Sequence, residues 1–331
     1  TKMLQWPETP ATGTRGAGPR GGAGAREGRG VVFSGFIVGY LFLAGTGAGA
    51  FAVAMGVCAW DAWRPTPRGE AVVRAVQPAL AAAPVLVVAG ALMLLADLGS
   101  LEGAARVLAQ PPRSVMAVGA WLVAALALAS GAVAALGAMR RPGSPALARG
   151  CALVGVVAAA GVMAYSALLL SDAVAVDFWR TPWLVALFVA SSLSCGAALV
   201  VAGAVLVPPR GLDARAREAA ADALWRLAGA LACMELAVLA LFLASRGLST
   251  EWARASCALL LTGELAGAFW GGVVGAGGVV PLGLHLMAGR LGGARSGWML
   301  ASAAGVLAGG LALRWCVIAA AVVAPLTLTM V

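Results

Sequence analysis

Apolar residues occupy this chain in eight long runs parted by short polar connections. The runs cover residues 31–60, 71–98, 114–139, 147–171, 182–207, 223–244, 255–287 and 297–324. Each comes near or exceeds the roughly 20 residues that a helix needs to cross a hydrocarbon core of about 30 Å. Within a run, polar positions do not recur at the spacing that would mark a water-facing stripe, so the pattern predicts helices surrounded by lipid and by one another. The seventh run is overlong and holds Gly271, Gly272, Gly275, Gly277, Gly278 and Pro281. It predicts one long helix that tilts or kinks near Pro281, with the backbone groups freed there finding partners inside the bundle.

Composition narrows the class. Hydrophobic residues make up 61% and charged residues 11%, and the mean hydropathy is +0.93. A soluble domain holds about half apolar and about a quarter charged residues, so the expected fold is an all-α integral membrane protein with eight transmembrane helices. The net charge of +9 does not point to nucleic acid. The arginines fall between apolar runs, where they set topology and meet lipid headgroups. Residues 1–30, rich in Gly, Pro, Ala and Arg, bury too little apolar surface to order themselves and are expected to form a flexible tail. The Ala52-Val-Ala54 step could mimic a signal-peptidase site, but the first run is too long for a cleaved signal core and reads as an uncut span.

Inside that first run, Tyr40-Leu-Phe-Leu-Ala-Gly-Thr-Gly-Ala-Gly-Ala50 imitates a nucleotide-binding glycine loop. Its register fails at Ala50, and no strand precedes it. Gly45 and Gly49 instead offer a small-xxx-small face on which another helix can lie close. Residues 163–199 hold a Tyr165-Ser-x-x-Leu-Leu-Ser171 run, then an acid-Phe-Trp-x-x-Pro step from Asp177 to Pro182, then Ser191-Ser-x-x-x-Gly196. Together with Tyr40–Ala50 they resemble the polysulfide-reductase membrane-subunit family (NrfD/PsrC type). Asp97-Leu-Gly99, the Ser114-x-Met-x-x-Gly119-x-Trp121 entry to the third run, and Gly309-Gly-x-x-x-Arg314 in the last resemble further elements of that family.

The resemblance covers residues 31 to about 323 and implies eight helices in two four-helix bundles, here 31–171, with the candidate quinone site, and 172–331. It implies a membrane anchor in the cell's inner (cytoplasmic) membrane, exchanging electrons between menaquinone or ubiquinone and a partner iron–sulfur subunit. A catalytic subunit with a molybdopterin or multihaem centre completes such complexes, so terminal-substrate catalysis is expected outside this chain. Tyr165 matches the tyrosine that family members place at the quinone. Some relatives add a histidine or asparagine near the start of the first helix, and residues 31–40 hold neither.

The residue inventory bears on these expectations. A single histidine, His285, cannot supply the axial pair of a membrane b-haem and is read as an interfacial residue, so no haem is expected. Cys58, Cys151, Cys195, Cys233, Cys257 and Cys316 occur singly inside or beside apolar runs, without a C-x-x-C, and read as packing residues. No iron–sulfur cluster is therefore expected in this chain, and electrons must pass directly between a partner's cluster and the quinone.

The connections after the first, third, fifth and seventh runs, with their flanks, carry twelve Lys and Arg, against five after the second, fourth and sixth. The positive-inside rule places the first set in the cytoplasm, although the tail's five basic residues pull the other way. The opposite face gathers Ser34, Tyr40, Asp97, Ser114, Tyr165 and Trp179 as candidate quinone-binding residues. Arg113, Asp172, Asp177 and Arg180 are candidates for a partner-facing loop. A quinone headgroup needs hydrogen-bond partners at two carbonyls and a proton route to water, and these groups offer both.

Charge inside a membrane is costly and is usually paired or functional. Glu235, Glu264 and Arg314 each lie about 14 Å from that same face by helical rise, so they are expected to meet as a buried ion pair or a proton relay. Broken helices and buried Glu/Arg also suit a transporter or ion-conducting bundle, which stays open as the alternative function.

Overall fold

The computed structural model describes residues 35–98, 115–138, 145–173, 176–287 and 295–322. Among these residues every regular element is helical, and eight helices are long and apolar enough to cross a membrane. The first span is α1, Gly35–Trp63. The second is built from α2, Pro67–Ala75, and α3, Gln77–Leu98. Then come α4, Val115–Ala138, α5, Pro145–Ser171, and α6, Pro182–Leu206, entered through a 3-10 turn at Asp177–Trp179. The chain continues through α7, Ala214–Gly247, and a short α8, Glu251–Leu261. A π-helix, Ala268–Val279, runs into α9, Val280–Met287, and α10, Arg295–Ala319, is the eighth span.

The hydropathy pattern places seven of these spans well, and the departures have physical causes. Polar side chains cap several starts: Asp213 accepts from Ala216 N at 2.7 Å before α7, and Thr181 from Trp183 N at 3.3 Å before α6. At about 1.5 Å per residue, the 34 residues of α7 reach about 51 Å, beyond the membrane core. Its charged first turns, with Arg215, Arg217 and Glu218, are helical yet too polar for a hydropathy window to register. The second span breaks at Val76 because Pro78 supplies no N–H to the carbonyl of Arg74.

The seventh span corrects the expectation of one helix from residue 255. Its chain breaks at 262–265, where Gly263 N donates back to Ala258 O at 2.8 Å and the Thr262 hydroxyl also takes that carbonyl at 3.1 Å. The membrane helix begins only at Ala268, so α8 and Glu264 lie outside the span. Near Pro281 the helix changes type from π to α, with Val280 N bonded to Gly275 O.

Helices α1 and α6 form the centre, with 61% and 72% of their spanning windows buried, whereas α3 and α7 reach only 28% and face outward. The small-residue face of α1 is used, and its partner is α6. A Cβ on Gly49 would come 1.8 Å from the Ser192 carbonyl, and one on Gly196 2.2 Å from Ala50 N. In a membrane such backbone proximity replaces the hydrophobic drive that lipid does not provide. A second close pair, Gly277 on the π-helix and Gly309 on α10, joins the seventh and eighth spans.

Candidate functional site

Arg314 of α10 is the most fully buried charge among the described residues, at 1% exposure. Its guanidinium reaches three helices. Nε donates to Leu41 O of α1 at 3.0 Å, one terminal nitrogen to Ser191 Oγ of α6 at 3.0 Å and Gly310 O at 2.9 Å, and the other to Ser192 Oγ at 3.0 Å. Phe42 and Phe188 flank it at 5.8 and 5.7 Å. Gly45 makes the space, since a Cβ there would sit 2.9 Å from the guanidinium. Three sequence motifs thus converge on one side chain: the glycine face of α1, the serine pair of α6 and the Gly-Gly-x-x-x-Arg of α10.

The expected ion pair is not a direct contact among the described residues, although Glu235 lies within electrostatic reach of Arg314. Among the described residues the ion pairs within 4.0 Å are Arg74–Glu70, Arg254–Glu251 and Arg295–Asp222, and none involves Arg314. Glu264 is exposed in the turn before the seventh span. Glu235 of α7 faces Ser191 and Ser194, with Arg314 beyond them, and lines a small cavity of about 10 Å³ with Gly277 and Gly309. Ser191 therefore stands between acid and base. The serines were visible in the sequence only as a motif, and their role as neutral ligands to a cation was not read from it.

The tyrosines lie in the N-terminal half. Tyr165 of α5, 5% exposed, lays its ring on Gly119 of α4, where a Cβ would be 2.0 Å from Cζ. Tyr40, 1% exposed, is close enough to Tyr165 to sense its charge. Among the described residues neither phenol hydroxyl forms a hydrogen bond. Asp97 is half-buried at the end of α3. Ser34, Arg113 and Ser114 lie outside the described residues.

Trp179 does not line this region as predicted. It is fully buried, its Nε1 donates to Val317 O of α10 at 3.0 Å, and its own carbonyl accepts from Ser171 Oγ at 2.9 Å. An indole with its only donor taken is a lock between the α5–α6 connection and α10. Asp177 is half-buried and tied to the α7–α8 connection: its carboxylate accepts from the Thr250 hydroxyl and its carbonyl from Arg246 at 3.2 Å. Asp172 and Arg180 remain exposed on that face.

His285 is also placed differently from the interfacial expectation. Its ring lies 4.4 Å from that of Trp225, and both nitrogens are buried without partners among the described residues, beside a cavity of about 10 Å³. That space accommodates one water. All six cysteines are free, with Cys195, Cys257 and Cys316 buried.

A family model described as "Polysulphide reductase, NrfD" matches residues 25–325. No curated protein matches the chain.

Proposed function

Since the chain belongs to the polysulphide reductase NrfD family and is a multi-pass membrane subunit of an oxidoreductase complex, we propose that it exchanges electrons between a membrane quinone and a partner's iron–sulfur cluster. The quinone, a menaquinone or ubiquinone, meets Tyr165, with Tyr40 and Asp97 beside it and Ser34 and Ser114 as further candidates. The two four-helix units, 31–171 and 172–331, the inner-membrane location, and the catalytic subunit with its molybdopterin or multihaem centre belong to the same reading. Asp172 and Arg180, exposed on the face where α1 begins, are the contacts offered to the iron–sulfur partner.

One observation carries this reading: two buried phenols within electrostatic range of each other, with a glycine opposite the Tyr165 ring. A quinone carbonyl accepting from a phenol hydroxyl there forms a hydrogen bond worth about 1 kcal/mol net. The quinone supplies the two-electron chemistry when bound. The chain's residues position it: Tyr165 donates to one carbonyl, and Asp97 at the end of α3 holds or passes the proton.

Tyr165→Phe tests this. The expected result is normal assembly with quinol-linked turnover reduced about fivefold or more, the equivalent of about 1 kcal/mol. Wild-type turnover over a full range of quinol concentrations would refute the assignment.

The buried Arg314 with Glu235 across Ser191 favours a second element, proton movement tied to electron transfer. Under that element a Glu235→Gln variant in proteoliposomes keeps quinol oxidation or quinone reduction but loses the associated pH change.

A further inference from the structure

On the face opposite the tyrosines, α1, α2 and α7 enclose an open groove of about 710 Å³. Its wall is apolar, with Val53 and Val57 of α1, Leu193 of α6, and Leu227 and Leu231 of α7. Gly56 of α1 borders open space, since a Cβ there would meet nothing within 4 Å. The rim is polar and carries Asp61, Arg64, Thr66 and Arg68. One end is thus shaped for hydrocarbon and the other for a charged headgroup.

The rim sits at the membrane–water boundary. Trp60 and Trp63 are 62% and 68% exposed, as belt tryptophans at headgroup level are, and Arg64 stacks on them at 5.8 and 4.7 Å from their centroids. Among the described residues neither Arg64 nor Arg68 forms an ion pair. Asp61 is turned away toward the start of α2. One of its carboxylate oxygens lies 3.5 Å from Thr66 N and directly over Gly69, where a Cβ would approach to 1.8 Å. Two arginines against one occupied carboxylate leave the rim net positive, on the face that carries most of the connecting Lys and Arg.

We propose that this groove is a retained binding site for an anionic phospholipid, with one acyl chain along the Val57–Leu231 wall and the phosphate at Arg64 and Arg68. Charge complementarity selects the occupant. A phosphodiester satisfies fixed guanidinium donors as an ion, whereas a quinone brings only neutral carbonyls and gains little from two arginines. An arginine already stacked on two indoles has also lost much of its side-chain freedom, which lowers the cost of ordering it around a headgroup.

The test uses the full chain, delipidated in detergent and titrated with phosphatidylglycerol or phosphatidylcholine, with bound lipid counted by native mass spectrometry. The expected result is phosphatidylglycerol retained at least tenfold more strongly than phosphatidylcholine. Arg64→Gln/Arg68→Gln should abolish that preference, and Leu231→Trp, which fills the groove but keeps both arginines, should lower retention of either lipid. Equal retention of the two lipids, or a preference unchanged in the arginine variant, would overturn the proposal. So would displacement of phosphatidylglycerol by a short-chain menaquinone analogue at equal concentration, which would mark a second quinone site instead.

Discussion

The four bonds of Arg314 make a prediction that separates a hydrogen-bonded clamp from a charge pair. Hydrogen bonds to a charged group contribute about 1.5–3 kcal/mol each, and two of Arg314's four go to serine hydroxyls on α6 while the others reach α1 and its own helix. A lysine keeps the charge but places three donors on one atom at the end of a flexible stem, and it cannot span Leu41 O, Ser191 and Ser192 together. Arg314→Lys should therefore forfeit about two bonds, roughly 3–6 kcal/mol before relaxation. With half of that recovered by rearrangement, the loss corresponds to a fall in thermal midpoint on the order of 5–10 °C. Glu235→Gln should cost under about 1 kcal/mol, because an amide can still accept from Ser191 or Ser194. A direct buried ion pair predicts the reverse: lysine rescues, and neutralising the acid strands the arginine at about 3–5 kcal/mol. Thermal unfolding of the detergent-solubilised chain, followed by size-exclusion chromatography with fluorescence detection, reads both. A wild-type midpoint for Arg314→Lys together with a large fall for Glu235→Gln would refute the clamp.

Gly119→Ala should act at a distance from any ligand, because its methyl would enter the Tyr165 ring; the expected outcome is a raised KM for quinol in steady-state assays with assembly intact. Asp97→Asn should slow quinol oxidation, which must release two protons from the site, with assembly intact, and stopped-flow quinol oxidation measures it. Trp179→Phe should lower the thermal midpoint through loss of the bond to Val317, worth about 1 kcal/mol, and leave quinol KM unchanged, which distinguishes a lock from a ligand contact. The purified chain should show no reduced-minus-oxidised b-type bands, since one histidine cannot provide two axial ligands.

Span count and order were legible because lipid imposes a length rule that composition alone satisfies. The failures came where that rule is silent. Helix α7 extends into water, where its first turns are held by an Asp213 cap and solvated arginines and not by hydrophobicity. At residues 255–267 the apolar run continues, yet the helix stops because Thr262 and Gly263 turn back on Ala258. That break leaves Glu264 in an exposed turn ahead of the seventh span. Depth counted from a run's end is sound only while the run is one helix, so the same arithmetic that placed Arg314 inside misplaced Glu264. Rotation was invisible throughout. Trp179 sits on the expected face but points inward, Asp177 is tied to the α7–α8 connection, and His285 turns to Trp225 where a membrane-edge position alone suggested the interface. Tyr165 and Gly119 were both present in quoted motifs, but only coordinates put the ring on the glycine.

The two sites are joined by consecutive residues of one helix. The Tyr40 side chain lies within electrostatic range of Tyr165, while the carbonyl of Leu41, the next residue, accepts from Arg314. Helix α1 cannot slide or rotate to relieve one contact without disturbing the other, because Gly49 and Gly196 hold it against α6 at backbone distance and packed interfaces of this kind shift between discrete states. On the far side, the Trp179 bond to Val317 fixes the outer end of α10 three residues beyond Arg314. Tyr40 and the carbonyl that holds Arg314 are therefore one peptide unit apart on α1, and Ser191, which accepts from Arg314, also lies beside Glu235.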